Sequence, residues 1–162
     1  MNRKKVLYVV YLTCLILIVG MKFTGSYKEL WMRAAVVREN REAGVMNANL
    51  EWLRTIRIYL RLRRNPIYFR NLVGNIIPFI PLGYFPASLQ RRKRGIFRFV
   101  ASALHALSIV LFIELFQLVT GFGYFDVDDI LLNMIGFVIG YAGYLLLGLW
   151  SMHRRNGVKN KN

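Results

Sequence analysis

The sequence predicts an all-α membrane protein, a four-transmembrane-helix bundle with an amphipathic, interfacial helical segment between spans 1 and 2. Three observations carry this reading. Of the 162 residues, 56% are hydrophobic, yet the chain bears a formal net charge of +15. The apolar residues come in blocks with the basic residues between them, whereas a soluble domain interleaves the two. The blocks also have the right length, because a helix rises about 1.5 Å per residue and the hydrocarbon core is about 30 Å thick, so that about 20 mostly apolar residues span it.

The first block, residues 6–23, follows Arg3, Lys4 and Lys5 and reads as an N-terminal transmembrane anchor over residues 1–24. A secretory signal begins the same way, but no small-x-small cleavage site follows Gly20, which favours a retained anchor. Residues 25–70 form a basic connecting segment in which Leu50, Leu53, Ile56, Ile58, Leu60 and Leu62 alternate with arginines. This pattern fits an amphipathic helix on the membrane surface or a solvated charged helix, and not another span. The second span, residues 72–89, holds Asn75, Pro78, Pro81, Gly83 and Pro86, so it must kink or partly unwind and needs protein neighbours to satisfy the freed carbonyls. The third and fourth spans, residues 96–119 and 130–150, are uninterrupted, and residues 151–162 form a basic tail.

Basic residues orient the bundle. Arg3, Lys4 and Lys5, then Arg91, Arg92, Lys93 and Arg94, then Arg154, Arg155, Lys159 and Lys161 fall on one side of a four-span chain, which the positive-inside rule makes cytoplasmic. Both termini are then cytoplasmic in a multi-pass protein of the cell membrane. The link over residues 121–129, with Asp126, Asp128 and Asp129, faces outward. The segment over residues 24–71 conflicts with the rule, since Lys28, Arg33, Arg38, Arg41, Arg54, Arg57, Arg61, Arg63, Arg64 and Arg70 would lie outside; long loops obey it weakly.

No nucleic-acid-binding motif accompanies the basic charge, and nucleic acid is not an expected partner; membrane lipids are. Cys14 is the single cysteine, so neither an intrachain disulfide nor a cysteine metal cluster can form. No Gly-x-Ser-x-Gly, phosphate-binding loop or His-Glu-x-x-His occurs, so no residue is assigned a catalytic role, and no cofactor is expected.

Glu114 is the outstanding residue, because an ionisable group inside an apolar helix is costly and faces an interior, a cavity or a partner. Gln117 lies one turn on and shares its face. Asp129 and Asn133 form a similar stripe at the start of the fourth span, and Asn71 and Asn75 at the start of the second. Asn75, Glu114 and Asn133 each lie about four or five residues inside their span ends, roughly 6 to 8 Å at the helical rise, so they can meet. Gly136 and Gly140 continue the Asn133 face and permit close helix packing. Two readings of the cluster stand side by side. In one, hydrogen bonds worth about 0.6 kcal/mol each cross-link the helices and no ligand is involved. In the other, Glu114, Asp126, Asp128 and Asp129 hold a cation, a basic group or a polar lipid head; Asp-x-Asp-Asp permits Mg²⁺ or Ca²⁺ without specifying a metal. His105 points to roughly the opposite face from Glu114 and is expected to bond a neighbouring helix. Ser102 and Ser108 are expected to bond their own helix's carbonyls.

Residues 71–84, running from Asn71 through Asn75, Pro78, Pro81 and Gly83, resemble the asparagine-containing segment of the VanZ-like membrane family. Glu114-x-x-Gln117, Asp126-x-Asp128-Asp129 and Asn133-x-x-Gly136 follow in that family's order, so the resemblance covers residues 71–147, and residues 71–150 are expected to form a VanZ-like three-helix membrane region. It implies a bacterial cell-envelope protein associated with low-level resistance to glycopeptide antibiotics, notably teicoplanin. Asn75, Glu114, Gln117, Asp126, Asp128, Asp129, Asn133 and Gly136 would be the functional or packing set. The partners so implied are a lipoglycopeptide or a lipid-linked wall precursor. An enzyme or transporter acting on an envelope lipid is the alternative, and a structural partner of another membrane protein is a third class.

Overall fold

The computed structural model describes residues 3–22, 26–90 and 95–159. Phe23 and Thr24, the basic group Arg91, Arg92, Lys93 and Arg94, and Lys161 lie outside the described residues. Helix α1 spans Arg3–Leu15 and widens into a π turn over Ile16–Gly20. Helix α2 spans Tyr27–Glu42, opened by Ser26, whose hydroxyl accepts the Glu29 N–H at 3.3 Å as an N-cap. Strand β1 is Ala48–Asn49 and helix α3 is Arg54–Arg61. Helix α4, Pro66–Gly74, starts on an Asn-Pro pair: Asn65 accepts the Ile67 N–H at 3.0 Å, and Pro66 takes a first-turn position where a missing N–H costs nothing. A 3₁₀ turn over Ile77–Phe79 leads to α5, Ile80–Leu89, then α6, Gly95–Thr120, strand β2, Phe125–Asp126, and α7, Val127–Lys159.

Three stretches are long and apolar enough to cross a membrane: Pro66–Leu89, Gly95–Thr120 and Val127–Ser151. No more than about a third of each apolar window is buried in the protein. Leu104, Phe112, Leu115, Val138, Leu146 and Leu149 are exposed on their outer faces, while Ser102, Glu114, Gln117, Asp128, Asp129 and Asn133 are buried. Apolar outside and polar inside is the distribution that lipid, not water, rewards. Helix α1, which opens on Arg3, Lys4 and Lys5, is not among the three stretches found in the described residues. It nonetheless packs along α5 and α6. The Tyr8 hydroxyl meets His105 Nε2 at 2.6 Å, Tyr11 donates to the Pro78 carbonyl at 2.7 Å, and both rings lie against Phe85. Phe79, Leu82, Ala106, Val110, Ile113 and Phe137 fill the centre of the bundle.

Several expectations change. The second apolar stretch begins at Pro66, six residues before its predicted start, and of the two expected distortions it shows the partial unwinding: Asn75 ends α4 and Pro78 sits in the 3₁₀ turn, where one N–H fewer is needed. The acidic link is shorter than 121–129, since Asp128 and Asp129 lie in the first turn of α7, where negative charge suits the helix dipole. The basic segment comprises α2, β1, α3 and the start of α4, with α3 lying within the Leu50–Leu62 stretch that alternates with arginines, and the all-α expectation is modified by a two-residue parallel pairing, Ala48 with Phe125 and Asn49 with Asp126. Ser108 bonds the Leu104 carbonyl at 2.8 Å as expected, but the buried Ser102 hydroxyl has no hydrogen-bond partner among the described residues. His105 does bond a neighbouring helix, α1.

Glycine sets the closest approach in the bundle. A Cβ on Gly83 would overlap the Phe137 carbonyl, one on Gly136 the Ile76 carbonyl, and one on Gly140 the Ile80 carbonyl. Helices α5 and α7 therefore touch backbone to backbone, as small-residue interfaces allow.

Candidate functional site

One end of the bundle gathers the polar side chains. It comprises the C-terminal turns of α6, the first turns of α7, the α4–α5 break, the end of α1 and the two helices of the basic segment. Asp126 stands at the entry to α7 and works as its N-cap, accepting the Asp128 N–H at 2.9 Å. The same carboxylate accepts the Thr55 hydroxyl at 2.6 Å and Asn49 Nδ2 at 3.0 Å. Glu114, 2% exposed, accepts the Asp126 N–H at 3.1 Å and so fixes where α7 begins.

Asp128 is fully buried and reaches out of its own helix. It accepts three backbone N–H groups at the start of α3: Leu53 at 2.7 Å, Thr55 at 2.8 Å and Ile56 at 3.1 Å. A helix N-terminus leaves its first N–H groups without intrahelical partners, and a carboxylate there satisfies them and favours the dipole. Leu53 takes a left-handed conformation, φ 62°, which a branched apolar residue rarely adopts, and its N–H bond to Asp128 holds it there.

Asp129 accepts a hydrogen bond from Asn75 Nδ2 and pairs with Lys22, whose ammonium lies 3.7 Å away. Lys22 also has a left-handed backbone, φ 45°, and its carbonyl accepts from Arg33. Gln117 donates to the Val19 carbonyl at 3.0 Å, tying α6 to the π turn of α1, and Gly123 leaves the room its side-chain oxygen occupies. That oxygen and Asn133 Oδ1 are buried without a hydrogen-bond partner among the described residues.

The arginines that conflicted with the charge rule are partly accounted for here. Arg41 donates to the Leu118 and Val119 carbonyls at the end of α6 and to Asn47 Oδ1, at 2.9 Å from Nε. A cation at a helix C-terminus is favourable. Arg33 donates to the Phe122 carbonyl at 3.1 Å. Asn47 is buried and donates to the Gly123 carbonyl at 3.0 Å. A cavity of about 460 Å³ opens beside Arg41, Met46, Leu118 and Val119, with a mostly apolar lining that includes none of the carboxylates.

All seven residues of the expected polar set thus lie at this end, but not as one mutually bonded cluster. Asn75 joins Asp129, Glu114 joins the Asp126 backbone, and Gln117 joins α1. Gly136 packs on the α4–α5 break at Ile76 and Phe79, and Gly140 on the first residue of α5, Ile80. Among the described residues no three His, Cys, Asp or Glu side chains are arranged to hold a metal ion. Tyr59 closes the inner side of α3. Its burial, then the carboxylates of Asp129, Asp126 and Asp128, push its phenol above the ordinary range, so it stays protonated. Lys22, Arg33, Arg41, Asn47, Asn49, Thr55 and Tyr59 were not singled out from the sequence. The Asn47-Ala48-Asn49 triplet between two helices was the available sign, since asparagine there marks backbone in need of partners.

A family model described as VanZ/LLP1 matches residues 8–148, taking in α1, α2 and α3 as well as the stretch that carries the motifs. No curated protein and no solved structure matches the chain.

Proposed function

From the chain's place in the VanZ/LLP1 family, to which it belongs, we propose that it is a four-pass protein of the bacterial cell membrane that alters how a lipid-anchored molecule is presented at the outer leaflet. The lipid-anchored molecule is a lipoglycopeptide such as teicoplanin, or a lipid-linked wall precursor. In this reading residues 1–24 are the anchor, 25–70 the connecting segment, 71–150 the membrane region and 151–162 a cytoplasmic tail. The packing of α1 against α5 and α6 through Tyr8 and Tyr11 supports its role as the fourth span, and the pattern of basic residues supports cytoplasmic termini and an outward polar end.

The observation that carries the proposal is the Asp126–Asp128 clasp on α3. It uses family-motif carboxylates to fix an arginine-bearing cap over the outer end of the bundle, at the level where an acylated antibiotic's polar head sits when its chain is in the leaflet. Susceptibility of cells producing the wild type, Asp128→Ala or an empty vector tests it. The wild type should raise tolerance of teicoplanin more than of vancomycin, and Asp128→Ala at equal expression should lose the gain. Equal teicoplanin susceptibility of wild type and empty vector would sink the idea.

A second reading, an enzyme or transporter acting on an envelope lipid, is favoured by the unpartnered buried oxygens of Gln117 and Asn133, one turn from Glu114 and Asp129. Reconstituted protein should then turn over or translocate a labelled lipid. Inactivity across divalent metals and pH would count against it.

A further inference from the structure

Helix α3 presents opposite faces to opposite neighbours. Thr55, Ile56 and Tyr59 are half-buried toward the bundle, whereas Arg54, Arg57 and Arg61 are exposed and, at 100° per residue, point directly away from it. Arg63 and Arg64 continue the exposed charge in the turn that follows. Arg54 lies 3.7 Å from Glu51, while Arg57, Arg61, Arg63 and Arg64 make no ion pair among the described residues.

Two features of this face decide what covers it. Arg63 and Arg64 stand two or three residues before Pro66, where a membrane-crossing stretch begins, so the charge lies at the edge of the leaflet. Exposed apolar side chains flank it: Trp52, Leu53, Ile58, Leu60 and Leu62, followed by Ile67 and Phe69 in α4. In water such side chains beside unpaired arginines are unfavourable; in the interfacial zone the apolar groups enter the acyl boundary and guanidinium groups meet phosphate. A polybasic run beside a span is the pattern that attracts anionic lipids, by about 1 kcal/mol per basic residue near the surface.

We propose that the arginine face of α3, with Arg63 and Arg64, docks onto the phosphate groups of anionic phospholipids in the leaflet that α4 enters. The inference rests on the reading of α3 as a cap at the membrane surface and adds the lipid class it recognises. Docking requires α3 to be held with its arginines outward, which the Asp128 clasp and the Ile56 and Tyr59 contacts accomplish.

The test uses full-length protein carrying Trp31→Phe and Trp150→Phe, so that Trp52 is the one remaining tryptophan. It is placed in nanodiscs of phosphatidylcholine alone or with phosphatidylglycerol. Trp52 emission should move to the blue and be quenched by brominated lipid only in the anionic discs, and both effects should vanish at high salt. Inorganic phosphate added to neutral discs should change nothing, which separates a lipid surface from a free anion. The variant carrying Arg57→Gln, Arg61→Gln, Arg63→Gln and Arg64→Gln should lose the anionic response. Equal emission and quenching in the two disc types, or a response to free phosphate alone, would overturn the proposal. If the variant fails to fold, the wild-type comparison of discs and salt decides alone. A loss of lipid docking with teicoplanin tolerance intact overturns this inference only, and docking without any tolerance overturns the functional reading only.

Discussion

Asp128 ties the start of α3 to the first turn of α7. Its two oxygens satisfy three backbone N–H groups of a helix more than 70 residues away in sequence. Hydrogen bonds to charged groups contribute about 1.5–3 kcal/mol each and are not additive when they share an acceptor. Asp128→Ala should therefore destabilise the folded protein by about 3 kcal/mol and raise amide exchange at Leu53, Thr55 and Ile56, while leaving α6 protected. Thermal unfolding in detergent with hydrogen exchange checks both. Glu114→Gln is the contrasting change, since an amide oxygen can still accept the Asp126 N–H. Its expected stability loss is under about 1 kcal/mol. Tyr59 supplies a pH test at the same scale. Its folded phenol titrates above the unfolded value of about 10, so its contribution is complete below that value and declines as pH rises toward the folded one. Tyr59→Phe should make stability fall less steeply above about pH 10, read as unfolding midpoints against pH; an unchanged slope would show the phenol is not the group concerned.

At the scale of elements, the stretch that ends in α5 and helix α7 were legible as membrane-length apolar runs, but the reason for their glycines was only half legible. The Asn133, Gly136, Gly140 periodicity marks a close-packing face; that the partner is the backbone of Ile76 and Ile80 follows from the break at Pro78, whose position in three dimensions periodicity does not encode. Gly140→Ala should destabilise by about 1–3 kcal/mol, because the added methyl meets a carbonyl that cannot move without shifting α5. Gly148→Ala is the control, since nothing lies within 4 Å of its added Cβ and alanine favours helix by about 1 kcal/mol. Comparing their unfolding midpoints checks the claim; equal effects would refute the backbone contact. The division of the basic segment into α2, β1 and α3 was not legible. Its elements are short and are held by partners on β2, α6 and α7 rather than by their own sequence pattern.

For the whole molecule, apolar blocks and the order of polar motifs were enough to place Asn75, Glu114, Gln117, Asp126, Asp128, Asp129 and Asn133 at one end. Lys22, Asn47, Asn49, Thr55 and Arg41 escaped because each also bonds a group more than 70 residues away, and apart from the Asn47-Ala48-Asn49 triplet no local spacing signals such a pairing. These long-range bonds tie the connecting segment to the acidic entrance of α7, so both must lie on the same side of the membrane. The account's central claim is that this side is the outside and that the end of α7 lies opposite. Labelling with a membrane-impermeant maleimide tests it most directly, using single cysteines at Arg57, Tyr124 or His153 in a Cys14→Ser background, all three positions being exposed. In intact cells Arg57→Cys and Tyr124→Cys should label and His153→Cys should label only after permeabilisation. Labelling of Arg57→Cys and Tyr124→Cys from opposite sides, or of His153→Cys in intact cells together with them, would contradict it.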